Sequence, residues 1–160
     1  MLYGTLPPDV ATIALAIGLL FALTCYLTTN LSPGGMITPG WIALTLAEDA
    51  RKMVVIIAVT ALAYVGTLVL QRTVILYGKR LFAAVTMLSV TLSTGLFLVV
   101  QQDYPLLFTH QTLGFIIPGL IAYQLVRQPT RATLLSTGAV SLASYGVLAG
   151  GLLLGLVPTL

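Results

Sequence analysis

Four uncharged, mainly apolar stretches, each close to the length of a bilayer-crossing helix, constrain this chain more than any other feature. They run over 10–29, 53–71, 81–100 and 132–158. An α-helix rises about 1.5 Å per residue, so about 20 residues cover the roughly 30 Å hydrocarbon core of a membrane. Backbone groups in hydrocarbon must bond within their own segment, which selects the helix. The strict alternation of a membrane β-barrel strand is absent from these stretches. Charges bracket them: Asp9 precedes the first, Arg51 and Lys52 precede the second and Arg72 follows it. Lys79 and Arg80 precede the third, and Arg131 precedes the fourth. The first stretch lacks a basic leading region and exceeds the roughly 7–15 apolar residues of a secretory signal core, so it is expected to be retained.

Composition excludes the soluble alternative. Hydrophobic residues make up 58% of the chain and charged residues 7%, against roughly 25% charged in a soluble domain that must wet its surface. The length of 160 residues suits a single domain, here one transmembrane domain over 1–160. The expected class is an all-α, multi-pass integral membrane protein of the plasma membrane, in contact with lipid.

Two shorter apolar stretches, 31–47 and 112–126, each carry Pro-Gly near the middle. Proline removes a backbone donor and crowds the preceding turn, while glycine admits left-handed angles. Each stretch is therefore expected to be a broken or re-entrant helix. The two also match one another. Gly35-Met36-Ile37-Thr38-Pro39-Gly40-Trp41-Ile42-Ala43 aligns with Gly114-Phe115-Ile116-Ile117-Pro118-Gly119-Leu120-Ile121-Ala122, sharing Gly-x-Ile-x-Pro-Gly-x-Ile-Ala. Each copy lies between two long stretches. The chain thus reads as half-repeats 10–71 and 81–158 joined by a basic loop, 72–80. Interrupted segments at matching places in two halves point to a site near the midplane. Thr38, Pro39, Gly40, Trp41, Pro118 and Gly119 are its candidate residues. Thr38 suits a helix N-cap and Pro39 the first helical position; the second copy has Ile117 in place of the capping threonine. A helix N-terminus there would favour a carboxylate.

Two topologies follow. If both Pro-Gly segments cross the membrane, the second half is inverted, and Arg72, Lys79, Arg80, Arg127 and Arg131 share one side with Arg51 and Lys52 on the other. If both are re-entrant, the basic residues divide almost evenly. Positive residues favour the cytoplasmic side, so the crossing arrangement with both termini outside is preferred.

The connector and the two Pro-Gly segments carry a family resemblance. Val74-Ile75-Leu76-Tyr77-Gly78-Lys79-Arg80-Leu81-Phe82-Ala83-Ala84 resembles the central loop of the CapC/PgsC family, the membrane subunits of poly-γ-glutamate synthases. The segments 32–41 and 114–122 resemble that family's two Pro-Gly segments, in the same order and at similar spacing; Trp41 stands where a tyrosine is expected. The resemblance implies a subunit that is not catalytic by itself. It would sit beside a Mur-ligase-like, ATP-dependent amide ligase and an extracellular-facing, metallophosphatase-like subunit, in a complex that makes anionic poly-γ-glutamate and delivers it to the cell surface. ATP and magnesium would belong to the ligase partner, leaving this chain without a cofactor.

The residues themselves agree. No phosphate-binding Gly-rich loop ending in Lys-Ser/Thr and no His-Glu-x-x-His pair is present, so neither catalytic nor metal-ligating residues are assigned, and no nucleic-acid partner is expected. Arg72, Tyr77, Lys79, Arg80, Arg127 and Arg131 are candidates for partner docking or polyanion binding, with topology setting as their ordinary role. The other class consistent with the pattern is a small inverted-repeat transporter or channel for an anionic metabolite. His110 and Asp103 read as interfacial and turn residues, and Cys25 as a small packing residue. Glu48 and Asp49 beside Arg51 and Lys52 read as a solvated, locally paired loop. Gly146-x-x-x-Gly150 and Gly151-x-x-x-Gly155 read as helix-packing surfaces.

Overall fold

The computed structural model describes residues 8–48, 50–75, 77–100 and 111–155. Among these, all regular structure is helical: α1 Pro8–Thr29, α2 Thr38–Glu48, α3 Ala50–Thr73, α4 Lys79–Val100, α5 Gln111–Arg127 and α6 Thr130–Leu153. The expected all-α class is borne out. Three helices are long and apolar enough to cross a membrane, over Val10–Thr29, Lys52–Thr73 and Thr130–Leu153; α4 has 22 residues. Asp49, Asp103, His110 and Pro158 lie outside the described residues.

The outer face is the reverse of a soluble protein's, while the interior mixes apolar side chains with small polar ones. Large apolar side chains point outward, with Leu27 71%, Met87 70% and Leu135 75% exposed, while Thr38, Thr67, Ser89 and Thr133 are fully buried. Such a surface suits hydrocarbon, and the small polar residues inside let helices approach closely. Several buried hydroxyls return to carbonyls of their own helix: Thr45 to Trp41 at 2.9 Å, Thr67 to Ala63 at 2.6 Å, Thr137 to Thr133 at 2.7 Å and Ser144 to Val140 at 2.8 Å.

The two short helices form the centre. Trp41 and Ile42 of α2 pack with Ile56 of α3 and with Ile117, Ile121 and Leu125 of α5. Helix α2 rests on α1 and α6, whereas α5 rests on α4 and α3; α1 also touches α6, and α3 touches α4. Val10 and Ala14 near the start of α1 meet Leu148 near the end of α6, joined by Leu44 and Ala47 from the end of α2. Helix α2 therefore runs antiparallel to α1. Leu81 and Val85 at the start of α4 meet Ala122, Tyr123 and Val126 at the end of α5, which makes α4 and α5 antiparallel as well.

The two Pro-Gly segments fold differently from one another. Over 30–37 the first is irregular, with Asn30 at φ 55°, Gly34 at 65° and Gly35 at 110°. Its residues Ser32, Pro33 and Gly34 are buried. The Gln128 side-chain amide, oriented by its partners, accepts from the Ser32 amide and donates to the Ser32 carbonyl, both at 3.2 Å. That pair supplies the partners a buried, non-helical backbone needs. The helical part begins at Thr38, so this copy is broken as expected.

The second copy corrects the expectation, because α5 continues through Pro118. Proline denies the Gly114 carbonyl its usual donor. The next carbonyl along is supported from outside the helix: the Ser89 hydroxyl of α4 donates to the Phe115 carbonyl at 3.1 Å. The charged ends differ too. Arg72 lies in the last turn of α3 and Lys79 opens α4, which shortens the expected 72–80 loop to a short connector. Gly78 turns it at φ 57°. The last helix stops at Leu153, followed by a left-handed Gly155 at φ 66°.

Candidate functional site

The Pro-Gly residues separate into two roles. Thr38, Pro39, Gly40, Pro118 and Gly119 are all buried, but Gly40 and Gly119 are helix contacts. A β-carbon on Gly40 would stand 2.8 Å from the Ala14 carbonyl oxygen of α1, and one on Gly119 2.8 Å from Ser89 Cβ of α4. The Thr38 hydroxyl donates backward to the Gly34 carbonyl at 2.8 Å. It is therefore not an N-cap, and the first helical bond runs from the Trp41 amide to the Ile37 carbonyl at 3.2 Å. Pro39 occupies the first turn, where a missing donor costs no intrahelical bond. Because α5 continues through Pro118, the group freed there is a carbonyl rather than a set of amides.

Trp41 and Pro118 reach a cavity of about 70 Å³, enough for a few waters. Leu44, Thr45 and Glu48 of α2 line it with Lys52 of α3, Ser93 and Leu96 of α4, and Gly114 and Phe115 of α5. Lys52 Nζ donates to Glu48 Oε2 at 3.2 Å, and the two side chains are 18% and 10% exposed. The expected local pairing is present, but it is largely buried at a helix–helix junction rather than in a solvated loop. Ser93 Oγ is buried without a hydrogen-bond partner among the described residues. Sequence reasoning did not include Thr45, Glu48, Lys52 or Ser93 in a site. The i, i+4 spacing of Glu48 and Lys52 carried a signal for the pair, whereas nothing local brings Ser93 to it.

The docking candidates gather at the opposite end. The Arg127 guanidinium donates to the Tyr123 hydroxyl at 2.9 Å, with its central carbon 5.3 Å from the ring centre. Tyr123 meets Phe82 edge-on, centroids 5.2 Å apart at 82°. This links the end of α5 to the first turn of α4, which begins with Lys79 and Arg80. Arg72 ends α3 and Arg131 starts α6, so five of the seven Lys and Arg residues share this end. Tyr77 is 79% exposed on the connector. Gly146 and Gly150 have no neighbour within 4 Å of an added β-carbon, so they make no close helix approach within the described chain. Cys25 is a free, half-buried thiol, its Sγ 3.6 Å from Thr29 Oγ1. Among the described residues there is no group of three metal-ligating side chains.

Known proteins resemble this chain over most of its length. A family model described as capsule biosynthesis CapC matches residues 17–134. The Capsule biosynthesis protein CapC of Bacillus anthracis is 34% identical over 143 residues, covering 85% of this chain and 91% of the relative. The PGA biosynthesis protein CapC of Bacillus subtilis (strain 168) is 32% identical over 143 residues with the same coverage. No solved structure matches. The family match spans the first Pro-Gly segment, the Tyr77-Gly78-Lys79-Arg80 connector and the second Pro-Gly segment alike, and the chain belongs to the capsule biosynthesis CapC family.

Proposed function

We propose that this chain is the membrane subunit of a poly-γ-glutamate synthase complex in the plasma membrane. It carries no catalytic group of its own. It holds a Mur-ligase-like, ATP-dependent amide ligase at its basic end, stands beside a metallophosphatase-like subunit on the outer face, and helps conduct the anionic polymer. ATP and magnesium act on the ligase. The observation that carries this reading is the collection of Arg72, Lys79, Arg80, Arg127 and Arg131 at one end of an otherwise apolar bundle, in a chain with relatives named for capsule and PGA biosynthesis. Such a cluster sets orientation and attracts an acidic protein surface or a polycarboxylate.

The packing supports an inverted internal repeat. Exchanging α1 with α4, α2 with α5 and α3 with α6 leaves the set of principal helix contacts unchanged. In this reading the stretch 30–48 crosses once, its first half irregular and its second half helical, so both termini lie outside and the five cations lie inside. Tagged purification from membranes of cells that also make the neighbouring gene products tests the function. Recovery of an ATP-dependent ligase with the chain supports it, and recovery of the chain alone from polymer-making cells overturns it.

A further inference from the structure

The cavity between α2, α3, α4 and α5 holds groups whose bonding capacity is unspent. Lys52 offers three N–H donors, and one of them bonds Glu48 Oε2. The Ser93 hydroxyl is buried and has no hydrogen-bond partner among the described residues. Gly114 lines the same space, and Pro118 removes the amide that its carbonyl would otherwise accept from. Trp41 supplies a flat apolar wall. Burying a polar group without a partner is unfavourable, and a buried hydroxyl and a carbonyl without its helical donor, beside one ion pair, mark a place suited to a polar guest.

The unspent groups define that guest. Lys52 calls for a carboxylate, Gly114 for an N–H donor, and Ser93 serves either a carbonyl or an N–H. The cavity is small, so the carboxylate and the N–H must lie close together on the ligand. We propose that this cavity, which is open at one side, takes the carboxylate and amide N–H of an N-acylated amino-acid carboxylate, the unit in which one carbon carries both groups, with the rest of the ligand lying outside its mouth. The ligand carboxylate would compete with Glu48 for Lys52, so the ion pair acts as an exchangeable latch. This rests on the polymer reading above: a γ-linked glutamate chain repeats that unit at each linkage, whereas in an α-linked chain three carbons separate the amide nitrogen from the side-chain carboxylate. The cavity lies at the end of the bundle away from the five cations, on the outer side in the proposed topology.

The chain has a single tryptophan, so Trp41 emission reports on the cavity. The full chain in lipid nanodiscs is titrated with γ-linked triglutamate, and calorimetry is run on the same samples. The expected result is saturable binding with a change in Trp41 emission. An N-acetylated, C-terminally amidated α-linked triglutamate should bind far more weakly. Lys52→Met should lower affinity by about tenfold or more, as loss of a charged hydrogen bond implies. Glu48→Gln should raise it by freeing Lys52, an opposite sign that misfolding does not produce. No saturable heat, equal binding of the α-linked peptide, or wild-type affinity in Lys52→Met would overturn the site. Ligase recovery with the same wild-type chain separates the two readings: its presence without peptide binding removes only the cavity proposal.

Discussion

Gly40 of α2 and Gly18 of α1 meet backbone to backbone, and neither position has room for a β-carbon. On Gly40 that atom would stand 2.8 Å from the Ala14 carbonyl oxygen and 2.9 Å from Leu15 Cα. The contact sits at the first turn of the half-length helix, so it sets how deep α2 lies against α1. Alanine at either position should destabilise the bundle by about 1–3 kcal/mol through overpacking. Thermal melting of the purified chain in detergent checks this. Gly95→Ala, where an added β-carbon meets nothing within 4 Å, serves as the tolerated control, and equal melting of all three variants would contradict the packing account.

The corresponding contact in the other half joins Gly119 to Ser89, with an added β-carbon 2.8 Å from Ser89 Cβ. Gly119→Ala should be destabilising in the native background and less so when Ser89 is replaced by glycine. Residues in direct contact show coupling of about 0.5–3 kcal/mol. A double-mutant cycle of melting temperatures measures it, and simple additivity would deny the contact.

Pro118 and Pro39 should behave unequally, although they occupy matching places in the motif. Pro118 lies inside α5, so Pro118→Ala restores a donor to the Gly114 carbonyl and should raise stability, by up to about 3 kcal/mol. Pro39 lies in the first turn of α2, and Pro39→Ala should give no comparable gain. If the freed carbonyl contributes to the polymer path, Pro118→Ala cells should make less polymer despite a more stable subunit. Melting curves and polymer yield from the same strains check both halves of this expectation.

That inequality marks where the sequence was legible and where it was not. The long helices follow from runs of apolar residues bounded by charge, and Arg72, Lys79 and Arg131 fall within a turn of the helix ends they were expected to flank. The shared Gly-x-Ile-x-Pro-Gly motif is not enough to decide backbone conformation. Ser32-Pro33-Gly34 precedes the first copy, and the chain breaks there with positive φ at Gly34 and at the motif's own first residue, Gly35. Thr112-Leu113 precedes the second, and a serine 26 residues away donates to its Phe115 carbonyl. Thr38 was legible as a polar residue beside proline, but whether its hydroxyl would cap forward or bond backward depended on Gly34 folding beneath it. Ser93 and Lys52 meet at one cavity only because α3 and α4 both pack against α5, a relation without any local sequence signal.

Topology offers a direct check. With Cys25 replaced by serine, single cysteines at Tyr77 and Arg127 should react with an impermeant thiol reagent only from the cytoplasmic side. A cysteine at Leu153, 88% exposed at the end of α6, should react from the other side. Outside labelling at Arg127 would favour re-entrant Pro-Gly segments over crossing ones.

The central claim is that the basic end holds the ligase, and ligase recovery with Lys79→Gln/Arg80→Gln chain tests it most directly. Each cation contributes about 1–3 kcal/mol if it makes a charged hydrogen bond across the interface. The tagged double variant, expressed beside its natural partners, is purified from membranes and the ligase that accompanies it is quantified against the wild type at equal recovery of the chain. The account predicts a clear loss of ligase, with polymer falling in step, while the variant still inserts and melts as the wild type does. Undiminished ligase and undiminished polymer would contradict it and return Lys79 and Arg80 to setting orientation alone.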